Sequence, residues 1–319
     1  MENILEIKNL NLFFRGEESD YQALYDVNLD FEKGKLHSIV GESGCGKTMT
    51  VMSVIRLLPK KAYIKSGEIL FNGENMLNLK EHEMRKIRGN KIALIPQDPM
   101  TSLNPLYTIG NQITEAIMAH NKVSKHQAMR KVREVMDMVK IPDINNKLNS
   151  YPHEFSGGMK QRVIIAMALA CKPELIIADE PTTALDVTIQ KQIMDLIQEL
   201  QKELQTTIIL ISHDLALVSN YADTVNVMYS GRVTEKANSK EFFENPMHPY
   251  SAALINSLPS ANAKGKLNTI NGAPPNIREK ISGCKFHLRC ERFEKGLCDK
   301  EIPELREKSA NHFAACFKI

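Results

Sequence analysis

No stretch of this sequence approaches the ~18 consecutive apolar residues that a bilayer-crossing helix needs, so no membrane span is expected. Its first residues, Met1-Glu2-Asn3, have neither the basic start nor the apolar core of a secretory signal. Charge of one sign is also lacking: 41 Lys and Arg stand against 38 Asp and Glu, a net +3. That balance excludes a protein whose main work is gripping a nucleic-acid backbone. Internal repeats and low-complexity tracts are absent, and 43% hydrophobic with 25% charged residues excludes disordered, collagen-like and coiled-coil chains. The expectation is a soluble cytosolic chain whose 319 residues suffice for one large domain plus an appendage, or for two domains.

Cysteine and charge are unevenly spread. Of six cysteines, four (Cys284, Cys290, Cys298 and Cys316) fall in the last 36 residues. A reducing compartment disfavours disulfides, so a clustered quartet there more often binds metal. From Lys264 to Ile319 there are 12 Lys and Arg against 7 Asp and Glu, a local +5 that leaves −2 for the rest. Cys171 closes an expected helix and reads as a buried apolar residue.

Periodicity predicts an α/β fold. Ile4–Ile7 and the alternating Leu24, Val27, Leu29 and Phe31, with a polar gap at Gly16–Ser19 between them, suggest an antiparallel edge sheet. Leu36–Val40 is a β-rich run that stops at a glycine cluster, and a helical pattern follows it up to Pro59. Ile92–Ile95 is a short strand. Leu175–Ala178 and Thr207–Ile211 are continuous apolar runs, as in strands buried on both faces of a parallel sheet. Between those two runs Ile189, Ile193, Leu196, Leu200 and Leu204 form one helical stripe, and a charged, Met-rich helical insertion fills about 108–150. Past about 240 the pattern weakens, with prolines at 246, 249, 259, 274 and 275. The expected division is a domain over 1–240, with a helical subdomain at about 98–165, and an extension over 241–319.

Gly41-Glu42-Ser43-Gly44-Cys45-Gly46-Lys47-Thr48 fits G-x-x-x-x-G-K-[ST], between a strand and a helix. Glycines let backbone N–H groups turn inward around phosphate oxygens, and the helix start, running on through Met49, adds positive potential. Lys47 supplies a point charge to β- and γ-phosphates, and Thr48 a hydroxyl ligand for Mg²⁺. Cys45 occupies a loop position where the side chain is free to vary. A second set of charges closes the run 175–178: Asp179 would hold Mg²⁺ and Glu180 would polarise an attacking water. A third string, Phe155-Ser156-Gly157-Gly158-Met159-Lys160-Gln161-Arg162, opens a helix and makes another anion site. No Asn-Lys-x-Asp guanine-reading string is present.

In this order the motifs resemble the ATP-binding cassette family of ATPases over residues 4–235. The resemblance adds Gln97 after the strand at 92–95, Thr183-Ala184-Leu185-Asp186 and Ser212-His213-Asp214. It implies a P-loop core in which two cassettes pack head to tail. Each ATP would lie between one cradle and the partner's Ser156, Gly157, Gly158 and Gln161. Glu180 would be the general base, and His213 would hold the γ-phosphate and the water. Gln97 would touch Mg²⁺ together with Thr48 and Asp179, Asp186 would link the two sites, and Phe14, with Tyr21 as second choice, would stack on adenine.

Three further stretches resemble the oligopeptide, dipeptide and nickel importer ATPases of that family: Gln97–Pro105, Asn245–Tyr250 with Leu258-Pro259, and the cysteine tail. The tail spacing C-x₅-C-x₇-C-x₁₇-C names no metal by itself, and four thiolates suit Zn²⁺ or a [4Fe–4S] cluster equally. The resemblance turns the reading to iron–sulfur; His287 or His312 is an alternative ligand, more simply a solvated histidine. It also implies an energy-coupling subunit on the cytoplasmic face of the membrane. Its partners would be two integral-membrane permeases, a second and different ATPase and, indirectly, an extracytoplasmic substrate-binding protein. The cargo is di- or oligopeptides, with nickel or a metal chelate as the alternative. A soluble ATPase remodelling ribosomes or nucleic acid is the reading from another class, but such proteins usually carry two cassettes or a coiled coil. A metal sensor with a vestigial ATPase would need a damaged site, and the motifs are intact.

Overall fold

The alternation at the chain's start folds as expected into antiparallel strands. In Tyr21–Glu32 the odd positions Val27, Leu29 and Phe31 are buried, while Asp26 and Asn28 face outward. This strand flanks Asn3–Phe14, which pairs on its other side with Ala62–Phe71 and through it with Glu74–Asn75. The computed structural model describes residues 2–183, 185–258 and 270–319. Met1, Ala184 of the Thr183–Asp186 string, Pro259 and Lys264 lie outside the described residues. By contacts the chain forms two units: Met1–Glu2, Glu32–Leu36 and Asn78–Leu210 make the first, and Asn3–Phe31, His37–Leu77 and Ile211–Ile319 the second.

The second unit contains that antiparallel sheet and another set of strands. Leu36–Val40 runs parallel to Thr224–Tyr229, with Val40 opposite Val227. Thr224–Tyr229 pairs antiparallel with Arg232–Asn238, and beyond it come His312–Ala314 and Arg306–Ser309. The strand runs read from periodicity end at Ile211. The strands beyond it lack an apolar pattern because they carry buried polar residues, among them Asn226, Thr234 and Glu235. Each has a backbone partner that makes its burial tolerable: Asn226 Nδ2 donates to Ser38 O (3.1 Å), and Thr234 Oγ1 donates to Val227 O (3.2 Å). The helix after the glycine cluster spans Lys47–Val54, stopping short of Pro59.

In the first unit Ile92–Ile95 lies parallel to Leu175–Asp179, Ile95 opposite Ala178. Leu175–Asp179 is buried at all five positions, which explains its unbroken apolar run. The charged insertion forms Pro99–Ser102, Ile109–His120, Lys125–Met138, Ile144–Lys147 and Gly157–Leu169. Ile109, Ile113 and Ile117 recur every four residues and are all buried, the stripe by which Ile109–His120 packs on its neighbours. Helix Val187–Leu204 buries Ile193, Leu196 and Leu200 of the expected stripe, while Ile189 and Leu204 at its ends are half-buried. Cys171, expected in the core, is also half-buried; its thiol accepts a contact from Asn121 Nδ2 at 3.6 Å. Pairing is thus mixed: parallel between Leu36–Val40 and Thr224–Tyr229 and between Ile92–Ile95 and Leu175–Asp179, antiparallel in the edge sheet and beyond Thr224–Tyr229.

Candidate functional site

In the second unit the phosphate-loop string connects Val40 to Lys47. Gly41 has φ +148, and a Cβ there would sit 2.2 Å from Met228 O; Gly46, at φ +108, would meet Leu24 Cδ2 at 2.7 Å. Both positions therefore exclude a side chain by conformation and by space. Lys47 is 5% exposed and its Nζ donates to Gly41 O (2.7 Å) and Glu42 O (3.1 Å), folding back over its own loop. Ser43 and Gly44 form the exposed tip. Cys45 is packed inward rather than free to vary: it is buried, and burial pushes its thiol above the ordinary range, with Lys47 opposing. Its low thiolate fraction disfavours redox chemistry. The loop is fixed from outside as well, since Gly231 N–H donates to Cys45 O (2.9 Å) and Glu42 N–H to Tyr250 Oη (2.8 Å).

Phe14 and Tyr21 stack on each other in this unit, ring centroids 5.4 Å apart and 8° from parallel, and the Arg278 guanidinium lies 5.5 Å over the Tyr21 ring. The two residues weighed for the adenine position thus form one aromatic platform. A pocket beside the loop is lined by Ala23, Tyr25, Ser43, Gly231, Pro275 and Ile277. His213 is exposed, between buried Ser212 and Asp214, whose carboxylate caps helix Leu215–Tyr221 by accepting from Ala216 N–H (2.9 Å).

The first unit carries the other motifs. Register puts Gln97 beside Glu180, because Ile95 pairs with Ala178 and each chain runs two residues further. Gln97 Nε2 donates to Glu180 Oε2 (2.9 Å), and Thr183 Oγ1 donates to the same oxygen (3.0 Å). Glu180 sits at φ +48, a left-handed conformation unusual for glutamate, and Asp179 before it is 6% exposed. Thr183 had a motif signal but no chemical role in the sequence reading; its hydroxyl steadies the carboxylate.

Ser156 is exposed at the start of Gly157–Leu169, and its Oγ accepts from Met159 N–H at a long 3.4 Å. A Cβ on Gly158 would lie 2.7 Å from Ile189 Cγ2, so helix packing requires that glycine. Gln161 departs from expectation. It is 0% exposed, and neither polar atom of its amide has a partner. It is enclosed by the protein interior, whereas Ser156 is open to solvent. Asp186 caps Val187–Leu204 through Oδ1, which accepts from Ile189 N–H (3.0 Å).

Cys284, Cys290, Cys298 and Cys316, all in the second unit, line one small pocket together with Phe286 and Phe317. Burial, and secondarily the other thiolates, push Cys284 up to about 11. Among the described residues no three His, Cys, Asp or Glu side chains are grouped closely enough to hold a metal ion. His287 lines the same pocket; its Nδ1 is paired with Cys284 O (2.8 Å). His312 is neither a ligand nor solvated: it is fully buried, with Nε2 2.7 Å from Glu235 Oε1. Glu235 also accepts from Met247 and His248 N–H (2.8 and 2.7 Å). Burial holds His248 down to about 3, hence neutral, and its Nδ1 accepts from Tyr250 N–H. Among the described residues no helix is long and apolar enough to cross a membrane.

Residues 24–183 match the family model "ABC transporter", and 234–298 match "Oligopeptide/dipeptide transporter, C-terminal region". The chain is 48% identical to the probable peptide ABC transporter ATP-binding protein y4tR of Sinorhizobium fredii, covering 99% of this chain and 95% of that protein. It is 44% identical to the dipeptide transport ATP-binding protein DppD of Bacillus subtilis, with 99% and 95% covered. With the oligopeptide transport ATP-binding protein OppD of Escherichia coli the figures are 45%, 99% and 93%. Among solved structures, the ATP-binding cassette MJ0796, a dimer bound to ADP and Pi, is similar with TM-score 0.66 and 28% identity over 74% of this chain and 98% of that one. The protein cbiO1 of Clostridium perfringens gives 0.66 and 29% over 77% and 92%.

Proposed function

The chain belongs to the ATP-binding cassette family and is an ATPase; from that premise we propose that it is the energy-coupling subunit of a binding-protein-dependent importer of di- and oligopeptides. One observation carries the reading. Similarity to peptide-transport ATP-binding proteins runs almost end to end and includes the C-terminal region at 234–298, not the ATPase core alone. The partners are two membrane permeases, a second, different ATPase and, through the permeases, a substrate-binding protein, with this subunit peripheral on the cytoplasmic face. Met100, Leu106 and Tyr107, exposed in the insertion after Gln97, supply apolar surface for docking on the permeases. The domain over 1–240 would drive transport, and 241–319 would form the extension.

The residue roles follow from their chemistry. Lys47 leaves Gly41 O and Glu42 O for the β- and γ-phosphates, and the N–H groups of Gly44–Met49 with Thr48 line the phosphates. Thr48, Asp179 and Gln97 would hold Mg²⁺, which when bound offsets phosphate charge. Glu180, oriented by Gln97 and Thr183, takes the proton of the attacking water, and His213 steadies the γ-phosphate. Ser156, Gly157 and Gly158 act on the nucleotide of the partner cassette, Asp186 lies at that junction, and Phe14 with Tyr21 receives adenine.

The four cysteines fit a soft metal by donor type, four thiols around one pocket. They would hold a [4Fe–4S] cluster, with Zn²⁺ the alternative. Such a group would tie together segments that have few periodic apolar residues and so contribute folding energy. About four irons per chain and a shoulder near ~400 nm support the cluster, and stoichiometric zinc refutes it. The test of the whole reading is the complex purified from membranes and reconstituted with its binding protein. Peptide-loaded binding protein should raise ATP hydrolysis. A rise with nickel or a metal chelate alone reassigns the cargo, and copurification with ribosomes or DNA instead of permeases overturns the reading.

A further inference from the structure

The phosphate loop is gripped by the far end of its own unit. Arg289, one residue before Cys290, forks onto both oxygens of the Glu42 carboxylate: Nη1 donates to Oε2 at 2.7 Å and Nη2 to Oε1 at 3.0 Å. Two further donors are also used, Nη1 on Tyr229 Oη (3.2 Å) and Nε on Asn271 O (2.8 Å). The Arg289 side chain is 5% exposed. Tyr229, Tyr250 and Phe286 pack around the pair, ring centroids 4.6–5.3 Å apart, with the guanidinium 5.8 Å from the Tyr229 ring. The backbone of Glu42 is held from the same side, since its N–H donates to the buried Tyr250 hydroxyl. Side chain and main chain of one phosphate-loop residue are therefore both fixed by residues beyond 249.

A bidentate guanidinium–carboxylate pair whose guanidinium is buried against aromatic rings is geometrically specific. An unpaired carboxylate in a loop that must accept a triphosphate would repel it. A brace alone could be made from apolar groups, without negative charge in that loop. We propose that Arg289 is a positioning residue for the nucleotide. It neutralises Glu42 and, with Tyr250, holds the loop in its phosphate-accepting shape, so the C-terminal extension is a working part of the ATP site. This rests on the reading of residues 41–48 as the phosphate cradle.

The test is ATP hydrolysis and ATP binding by the full chain in its complex, with thermal melting as the check on folding. Arg289→Gln should raise KM for ATP about tenfold while kcat changes less than about threefold, because a bare carboxylate is left in the loop. Arg289→Lys, which keeps charge without the fork, should fall between. The double variant Arg289→Gln/Glu42→Gln removes both charges and should return KM to within about threefold of the parent, a rescue that a lost structural brace would not produce. Glu42→Gln alone leaves the cation and should tighten ATP binding, an effect that salt weakens. A folded Arg289→Gln protein with the parental KM overturns the proposal, as does a double variant no better than Arg289→Gln. If Arg289→Gln does not fold, Glu42→Gln decides: unchanged or weakened ATP binding overturns it. Lys47→Ala is the separate control. ATP binding intact in Lys47→Ala refutes the cradle itself, whereas loss there beside an unchanged Arg289→Gln refutes only the positioning role.

Discussion

Glu180 shows how one side chain is held by its surroundings. A left-handed glutamate stores roughly 1–3 kcal/mol of backbone strain, tolerated where the surroundings over-determine it. Here Gln97 and Thr183 both donate to one carboxylate oxygen and so fix the direction of the group. Glu180→Gln should keep the shape and lose the base, so that single-turnover hydrolysis falls about 10²–10⁴-fold while ATP still binds. Gly158 is constrained from the opposite direction. An alanine there would bring Cβ to 2.7 Å from Ile189 Cγ2, on a stiff β-branched side chain. Gly158→Ala should cost about 1–3 kcal/mol in urea unfolding, and Ile189→Ala on the same background should recover part of it. The Ser-Gly-Gly string was legible as a motif. That its second glycine answers to helix packing was not, because Ile189 is 31 positions away in sequence and only the tertiary fold joins them.

At the level of elements, two of the motifs are helix starts. Asp186 caps its helix at 3.0 Å, Ser156 at 3.4 Å. Asp186→Ala should therefore cost about 1 kcal/mol of stability, and Ser156→Ala distinctly less. A large loss of turnover in Ser156→Ala with little change in stability would then report phosphate contact rather than capping. The strands leading to Gln97 and Glu180 were readable because a strand buried on both faces is apolar throughout: Ile92–Ile95 and Leu175–Asp179 appear nearly where periodicity sets them. Thr224–Tyr229 and Arg232–Asn238 were not readable. A strand with Asn226, Thr234 and Glu235 inside looks like a surface segment until the hydrogen-bond partners are known. Gln161 misled in the same way, as a polar residue in a functional string that turned out to face the core.

Across the second unit, Glu235 gathers Met247, His248 and His312 onto the strand that carries it. That junction should make stability depend on pH. His248 titrates near 3 when folded against 6.5 as a free side chain, so the folded state binds fewer protons in between. The stability from its neutral form is complete above about 6.5 and declines as pH falls toward about 3. Melting temperature should drop through that window, and less steeply in His248→Asn. Little of this junction shows in the sequence, where His248 and His312 are 64 residues apart and His312 reads as solvated. The same strand has a second dependence. His312–Ala314 pairs with Arg232–Asn238 at Glu235 and Lys236, so residues 312–314 act as a cover strip over that stretch. A chain cut before Arg306 would bare that stretch and strip Glu235 of its imidazole. Bare strand borders recruit other chains. Light scattering should then report assemblies that grow with concentration, and proteolytic trimming of a short tail would present itself as loss of solubility.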